Sequence, residues 1–178
     1  MVTDATDDLD ALLERAGAGD ERARTDLFEQ LYSELKRIAR RYLQGNTWQT
    51  TDLTNEVILK LLRGKTIEKA PNRRYFFGAV ARATRQVLID KGRRGELPTT
   101  TFLEVADSEL TFDLFDLNEA LTFLEENNAL GYELVQRRFF LGMSVQEMAD
   151  HFELSESGVR KKLRFAYATL KMKLGSKP

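Results

Sequence analysis

The chain has 178 residues, 42% of them hydrophobic, and 27 lysines and arginines nearly balance 28 aspartates and glutamates for a net charge of -1. That apolar share supports a packed core and excludes global disorder, while the absence of cysteine excludes disulfides and thiolate metal sites. No run approaches the ~20 apolar residues of a membrane span, and the acidic, polar stretch Met1 to Asp10 does not read as a signal peptide, so a cytoplasmic protein is expected.

Taken in chain order, almost every periodic segment predicts helix. A short helix is expected near Leu9–Ala16, ended by Gly17-Ala18-Gly19, with Asp20 placed to cap the next. A long amphipathic helix then runs to about Leu43, with Leu27, Leu31, Leu35, Ile38 and Tyr42 on one side, and Gly45-Asn46-Thr47 breaks it. A third helix spans about Asp52 to Arg63, with Leu53, Val57, Leu61, Ile58 and Leu62 inward and Asp52, Asn55, Glu56, Lys60 and Arg63 on a polar face. Gly64 to Asn72, with Pro71, predicts a loop. A fourth helix runs from about Arg73 to Arg94, its apolar side formed by Phe76, Val80, Ala83 and Val87. Gly95 to about Asp113 has no sustained helical period and reads as a linker, but one apolar enough to pack or bind. Asp116 with Glu119 opens a further helix to about Glu126, and Gly131–Leu141 is another, closed by Gly142.

The last third ends in a helix–turn–helix pattern. Ser144 and Glu147 form an S-x-x-E capping box, Glu153-Leu154-Ser155 is the turn, and Ser155 is a second N-cap. On the second helix Val159, Leu163, Ala166, Leu170 and Leu174 recur as a buried stripe. Ser157, Arg160, Lys161 and Arg164 recur on another face, as entry into a major groove requires.

Charge is segregated along the chain. Residues 1–20 carry net −5, residues 21–96 +8, residues 97–136 −9 with no basic residue, and residues 137–178 +5. The basic blocks are candidate nucleic-acid footprints, and the acidic block would be repelled by nucleic acid. In the first basic block, Asn72-Arg73-Arg74-Tyr75-Phe76-Phe77 mixes arginines with aromatics, which suits an opened strand; Arg74 and Arg85, and Arg82 and Arg93, lie eleven apart and nearly eclipsed, with Lys91 and Arg94 extending the basic end. Phe76 and Phe77 are expected in the core, and Trp48 as a packing anchor. His151, the one histidine, has no partner evident in sequence and reads as a helix-end surface residue. No nucleophile, phosphate-loop or metal-ligand pattern is present, so no enzyme, cofactor or metal site is expected. The layout is all-α: two small helical domains joined by an acidic linker, the second a helix–turn–helix.

These residues resemble, in order, the compact extracytoplasmic-function (ECF) group of bacterial RNA polymerase sigma factors. Asp52-Leu53-Thr54-Asn55-Glu56-Val57-Ile58-Leu59-Lys60-Leu61 resembles that family's polymerase-binding helix, preceded by Asn46-Thr47-Trp48-Gln49-Thr50-Thr51 as in one subgroup. Phe76 to Asp90, followed by Arg93-Arg94, resembles its promoter-melting and minus-ten helix, and Met143 to Leu174 its minus-thirty-five helix–turn–helix. The chain departs at Asn55 (usually glutamine), Ala79 (often tryptophan), Gln86 (often asparagine), Gly158 (often threonine) and Phe165 (often arginine).

The resemblance implies a transcription initiation factor, not an enzyme, with residues 1–20 an acidic segment, 21–95 a polymerase-binding and minus-ten domain, 96–115 the linker and 116–178 the minus-thirty-five domain. It implies that Asp52, Asn55, Glu56 and Lys60 meet core RNA polymerase at the clamp, with a second contact at the flap. Arg73, Arg74, Tyr75, Arg82, Arg85, Gln86, Arg93 and Arg94 would hold minus-ten DNA, and Ser155, Ser157, Arg160, Lys161 and Arg164 minus-thirty-five DNA. An anti-sigma factor or a Ser/Thr kinase is a further implied partner. For the kinase, Thr50, Thr51 and Thr54 cluster at the start of the acid-poor polymerase helix, a place where its dipole favours phosphate. Two other readings fit parts of the pattern: a polymerase-independent helix–turn–helix regulator, and a sigma-like decoy.

Overall fold

The computed structural model describes the backbone of residues 5–42, 47–96, 100–105 and 108–175, and the side chains of residues 11–40, 50–96 and 115–175. The expected break at Gly45-Asn46 and the side chains of Tyr42 and Trp48 lie outside these residues. Among the described residues the architecture is all-α apart from one short hairpin. The chain divides into two compact units, Met1–Val87 and Leu88–Pro178.

In the first unit α1 is Ala5–Gly17, α2 Glu21–Tyr42, α3 Thr47–Arg63, α4 Thr66–Lys69 and α5 Arg73–Arg93, the end of α5 from Leu88 onward being counted with the second unit. Gly19 turns the chain after α1 at φ 94°, a conformation that glycine adopts without strain. Asp20 then caps α2 as expected. Its Oδ1 accepts the backbone N–H groups of Arg22 and Ala23 at 3.0 and 3.1 Å, and its Oδ2 meets Arg15 at 2.6 Å. The stripe Leu27, Leu31, Leu35 and Ile38 is buried, and α2 packs on α1 and α3. Helix α3 starts at Thr47 rather than about Asp52, and buries Leu53, Val57 and Leu61. The stretch read as a loop carries the single turn α4, which seats Ile67 in the core beside α1 and α3. Asn72 caps α5 through its Oδ1, which accepts the Tyr75 N–H at 2.9 Å, and Phe76, Val80, Ala83 and Val87 face inward as expected.

The Asp20 cap makes a pH prediction. The Ala23 N–H first, and then Arg15, hold this carboxyl below its ordinary value near 3.8. A group whose folded pKa is depressed stabilises the fold above its unfolded value, and that stabilisation is lost as pH falls through the folded value. The gap in thermal unfolding midpoint between the wild type and Asp20→Ala is therefore expected to be full at neutral pH and to close below about pH 4. A gap that does not change with pH would mean the charge contributes nothing.

In the second unit the segment read as a linker carries a hairpin. Strand β1, Thr100–Val105, pairs antiparallel with β2, Ser108–Asp113, in a register running from Thr100↔Asp113 to Val105↔Ser108. Helices α6 (Leu114–Asn127), α7 (Ala129–Phe140), α8 (Val145–Phe152) and α9 (Glu156–Gly175) follow. Helix α9 packs against α6, α7 and α8 around Leu121, Leu124, Leu134, Phe140, Met148, Val159 and Leu170. Asn128 caps α7, its Oδ1 accepting the Gly131 N–H at 2.9 Å, and the same amide crowds that glycine: a Cβ at residue 131 would lie 2.4 Å from Asn128 Nδ2. The Ser144–Glu147 box forms in full. Ser144 Oγ accepts the Glu147 N–H at 3.1 Å, and Glu147 Oε2 accepts the Ser144 N–H at 2.6 Å. Glu153 ends α8 at φ 53°, a left-handed residue without glycine's freedom, which costs roughly 1–2 kcal/mol.

Candidate nucleic-acid interface and docking helix

Helix α9 gives the clearest surface. Its buried stripe is Val159, Leu163, Ala166 and Leu170, with Leu174 half-buried at the end, and this orients the remaining arc outward. Ser157, Arg160, Lys161 and Arg164 are all exposed there. Ser155 begins the helix as expected, its Oγ accepting the Gly158 N–H at 3.1 Å and lying 3.1 Å from Ser157 Oγ. A Cβ at residue 158 would come within 3.1 Å of Ser155 Oγ, so Gly158 keeps the cap uncrowded. Arg160 meets Glu156 at 2.9 Å, both well exposed. An exposed i,i+4 pair is worth only ~0.3–0.5 kcal/mol, so a phosphate or base edge can take the guanidinium over.

The scaffold behind this surface contains an unexpected group. Arg137 on α7 is 2% exposed. Its Nε donates to His151 Nε2 at 3.3 Å, its Nη1 donates to the Glu133 carbonyl at 3.2 Å, and Nη2 lies 3.6 Å from the Glu133 carboxylate. Its guanidinium also sits 4.9 Å from the Phe152 ring centroid. His151 is thus half-buried and acts as an acceptor for a buried arginine, which corrects its reading as a partnerless surface residue; the neutral ring is the form that can accept.

Helix α5 carries Arg74, Tyr75 and Arg82 exposed, and Arg73, Arg85 and Gln86 half-buried. Phe76 is in the core, whereas Phe77 is only half-buried, with the Arg73 guanidinium 5.8 Å from its ring centroid. Arg73 Nε is buried without a hydrogen-bond partner. Two clefts flank this helix. One, of about 470 Å³, is lined by residues that include Leu13, Ile67, Asn72 and Arg73 and the acids Glu14 and Glu68. The other, of about 350 Å³, brings Lys60, Thr66, Arg82 and Gln86 around Ala79 and Ala83. The basic end of α5 differs from expectation. Arg93 is exposed, but Lys91 is buried and bonded to Glu96 at 2.9 Å, and Arg94 bonds the same carboxylate. These two cations hold the Glu96 carboxyl below its ordinary value, Arg94 more than Lys91.

On α3, Asn55 and Lys60 are exposed and Asp52 and Glu56 half-buried. Leu59 and Leu62 stand beside them, 48% and 38% exposed. Leu62, expected inward, therefore belongs to the surface, and Leu59 was not singled out by sequence at all. The signal was present: two leucines off the Leu53–Val57–Leu61 stripe. The threonine cluster lies inside the helix, since α3 begins at Thr47. Thr50 and Thr54 are each 1% exposed, with Thr54 Oγ1 donating to the Thr50 carbonyl at 2.8 Å, and Thr51 is half-buried.

Among the described residues no helix is long and apolar enough to cross a membrane. Comparison with curated proteins gives no match. The family model for ECF sigma factors matches residues 6–176 of the chain. Taken with the ordered motifs and the helices that carry them, this match means that the chain belongs to the ECF sigma factor family, non-enzymatic transcription initiation factors that bind core RNA polymerase and promoter DNA.

Proposed function

We propose that the two units divide initiation between them: α3 docks on the polymerase clamp, α5 holds the opened minus-ten strand, and α9 reads the minus-thirty-five duplex. The observation that carries this reading is the α3 surface. A helix of a small folded unit exposes two leucines among Asn55, Glu56 and Lys60, the arrangement of an apolar anchor in a polar rim. On α5, Arg74, Arg82, Arg85 and Arg93 contact phosphates, Gln86 faces the bases, and Tyr75, 44% exposed, offers a ring for an unpaired base. Stacking of ~1–3 kcal/mol per base offsets the few kcal/mol of unstacking. The cleft beside Asn72 and Arg73 receives the extruded base. Arg94 acts on DNA only after leaving Glu96. The hairpin segment, with the acids around it, occupies the basic RNA path of the polymerase, and α6–α9 contact the flap.

The test is binding of the labelled full-length protein to purified core RNA polymerase. Tight binding that Glu56→Lys weakens at least tenfold supports clamp docking, and unchanged binding of the variant removes α3 from that role.

An anti-sigma factor or a kinase would act on the same surfaces. Burial leaves Thr51 as the only threonine of the three that a kinase reaches without opening the helix. It lies a full turn past the start of α3, where the helix dipole has faded, so a phosphate there acts by the charge it offers the polymerase. Thr51→Ala is expected to abolish transcription from the cognate promoter in cells while Thr51→Asp retains it; full activity of Thr51→Ala sinks the idea.

A further inference from the structure

We propose that Phe165 is a sequence-reading residue, packing its ring on a thymine C5-methyl group in the major groove beside the bases addressed by Lys161 and Arg164. The inference rests on the duplex-reading role given above to α9.

Phe165 is 66% exposed, an unfavourable place for a large aromatic unless it meets a partner. It has no part in the core, because Leu163 and Ala166 on either side take the inward positions. At 100° per residue it lies ~40° around the helix from Lys161 and ~6 Å further along, inside the span that a groove ~12 Å wide receives. Met172, also exposed, lies ~10 Å further along the same face of the helix.

The surroundings select the occupant. From Ser157 to Pro178 there is no aspartate or glutamate, while Lys161, Lys162 and Arg164 lie within four residues of Phe165 on the helix. An exposed phenylalanine in a wholly basic surround fits a polyanion with an apolar feature. Phenylalanine has no hydrogen-bonding group, and the one apolar group on a major-groove edge is the thymine methyl. A basic side chain at this position would add affinity through phosphate or guanine; phenylalanine trades that for thymine preference.

The test uses the full-length protein with core polymerase and short duplexes carrying a randomised centre. The sequences it enriches are then remade with each thymine replaced in turn by deoxyuridine, which lacks only the methyl. At one position the wild type is expected to lose about fourfold in affinity, the ratio for returning one methyl group to water. Phe165→Ala is expected to show no loss there, to bind core normally, and to relax its enriched sequence at that position alone; Phe165→Leu is expected to keep part of the effect. Thermal unfolding of the variants checks that they fold. An enriched sequence in which no deoxyuridine matters, a methyl effect that survives Phe165→Ala, or loss of core binding by Phe165→Ala overturns this inference and leaves duplex reading standing. If the wild type enriches no sequence, both fail together.

Discussion

Leu59→Asp is expected to weaken binding to core RNA polymerase by about 2–4 kcal/mol, roughly thirtyfold to a thousandfold, without unfolding the protein. The side chain is 48% exposed in the free chain, so about half its surface still waits to be withdrawn from water. The aspartate forfeits that gain and adds a carboxylate that the interface must desolvate, and the second effect is the larger. Leu62→Asp is expected to lose less, because Leu62 is already more covered at 38% exposed. Leu61→Asp, two residues along, is the contrasting control: Leu61 is 3% exposed and its loss should show as unfolding by circular dichroism. An anisotropy titration with core polymerase separates these cases. Wild-type affinity in Leu59→Asp would move the docking surface off α3.

Arg137→Ala is expected to destabilise the second unit by about 3–5 kcal/mol, measured by denaturant unfolding. The substitution removes the donor to His151 Nε2 and to the Glu133 carbonyl, uncovers the Glu133 carboxylate, and leaves a void against Phe152. Arg137→Met tells the charge apart from the volume. An apolar chain of similar size fills the space beside Phe152, but it restores neither the bond to His151 Nε2 nor the partner of Glu133. Methionine is therefore expected to fall between alanine and wild type, the gap to alanine measuring the packing and the gap to wild type the lost polar contacts. A loss below about 1 kcal/mol for Arg137→Ala would mean that the cluster is not holding α7 to α8. Because α8 packs on α9, such a loss should also lower DNA affinity, although Arg137 is buried far too deeply to touch DNA itself.

Features set by neighbouring residues were legible in the sequence. The Asp20 cap, the Ser144–Glu147 box and the Ser155 cap each depend on two or three positions in a row, and all three form. The inward stripes of α2, α5 and α9 follow from spacing alone. What was missed depends on residues distant in sequence or on the edge of a stripe. Arg137 and His151 are fourteen apart and meet only when α8 folds back on α7, which no periodicity reports. Lys91 was read as extending the basic end of α5, but it is buried, and Glu96, an exposed carboxylate just past the helix end, reaches back to pair with it. The segment was read as a linker apolar enough to pack or bind, but the hairpin itself escaped notice because its strands are six residues each and its pairing partners are decided across the turn. Leu62 sits beside the buried Leu61 at the margin of the α3 stripe, where a simple pattern cannot say which side wins.

The crowding at the start of α7 limits how this chain can change. Any side chain at residue 131 collides with the amide of Asn128, and that amide is the group holding the first turn together. Residue 131 can therefore enlarge only if the Asn128 amide turns aside, and turning aside gives up the bond to the Gly131 N–H. The smallness of residue 131 and the hold of the cap are thus a single contact, and enlarging the one loosens the other.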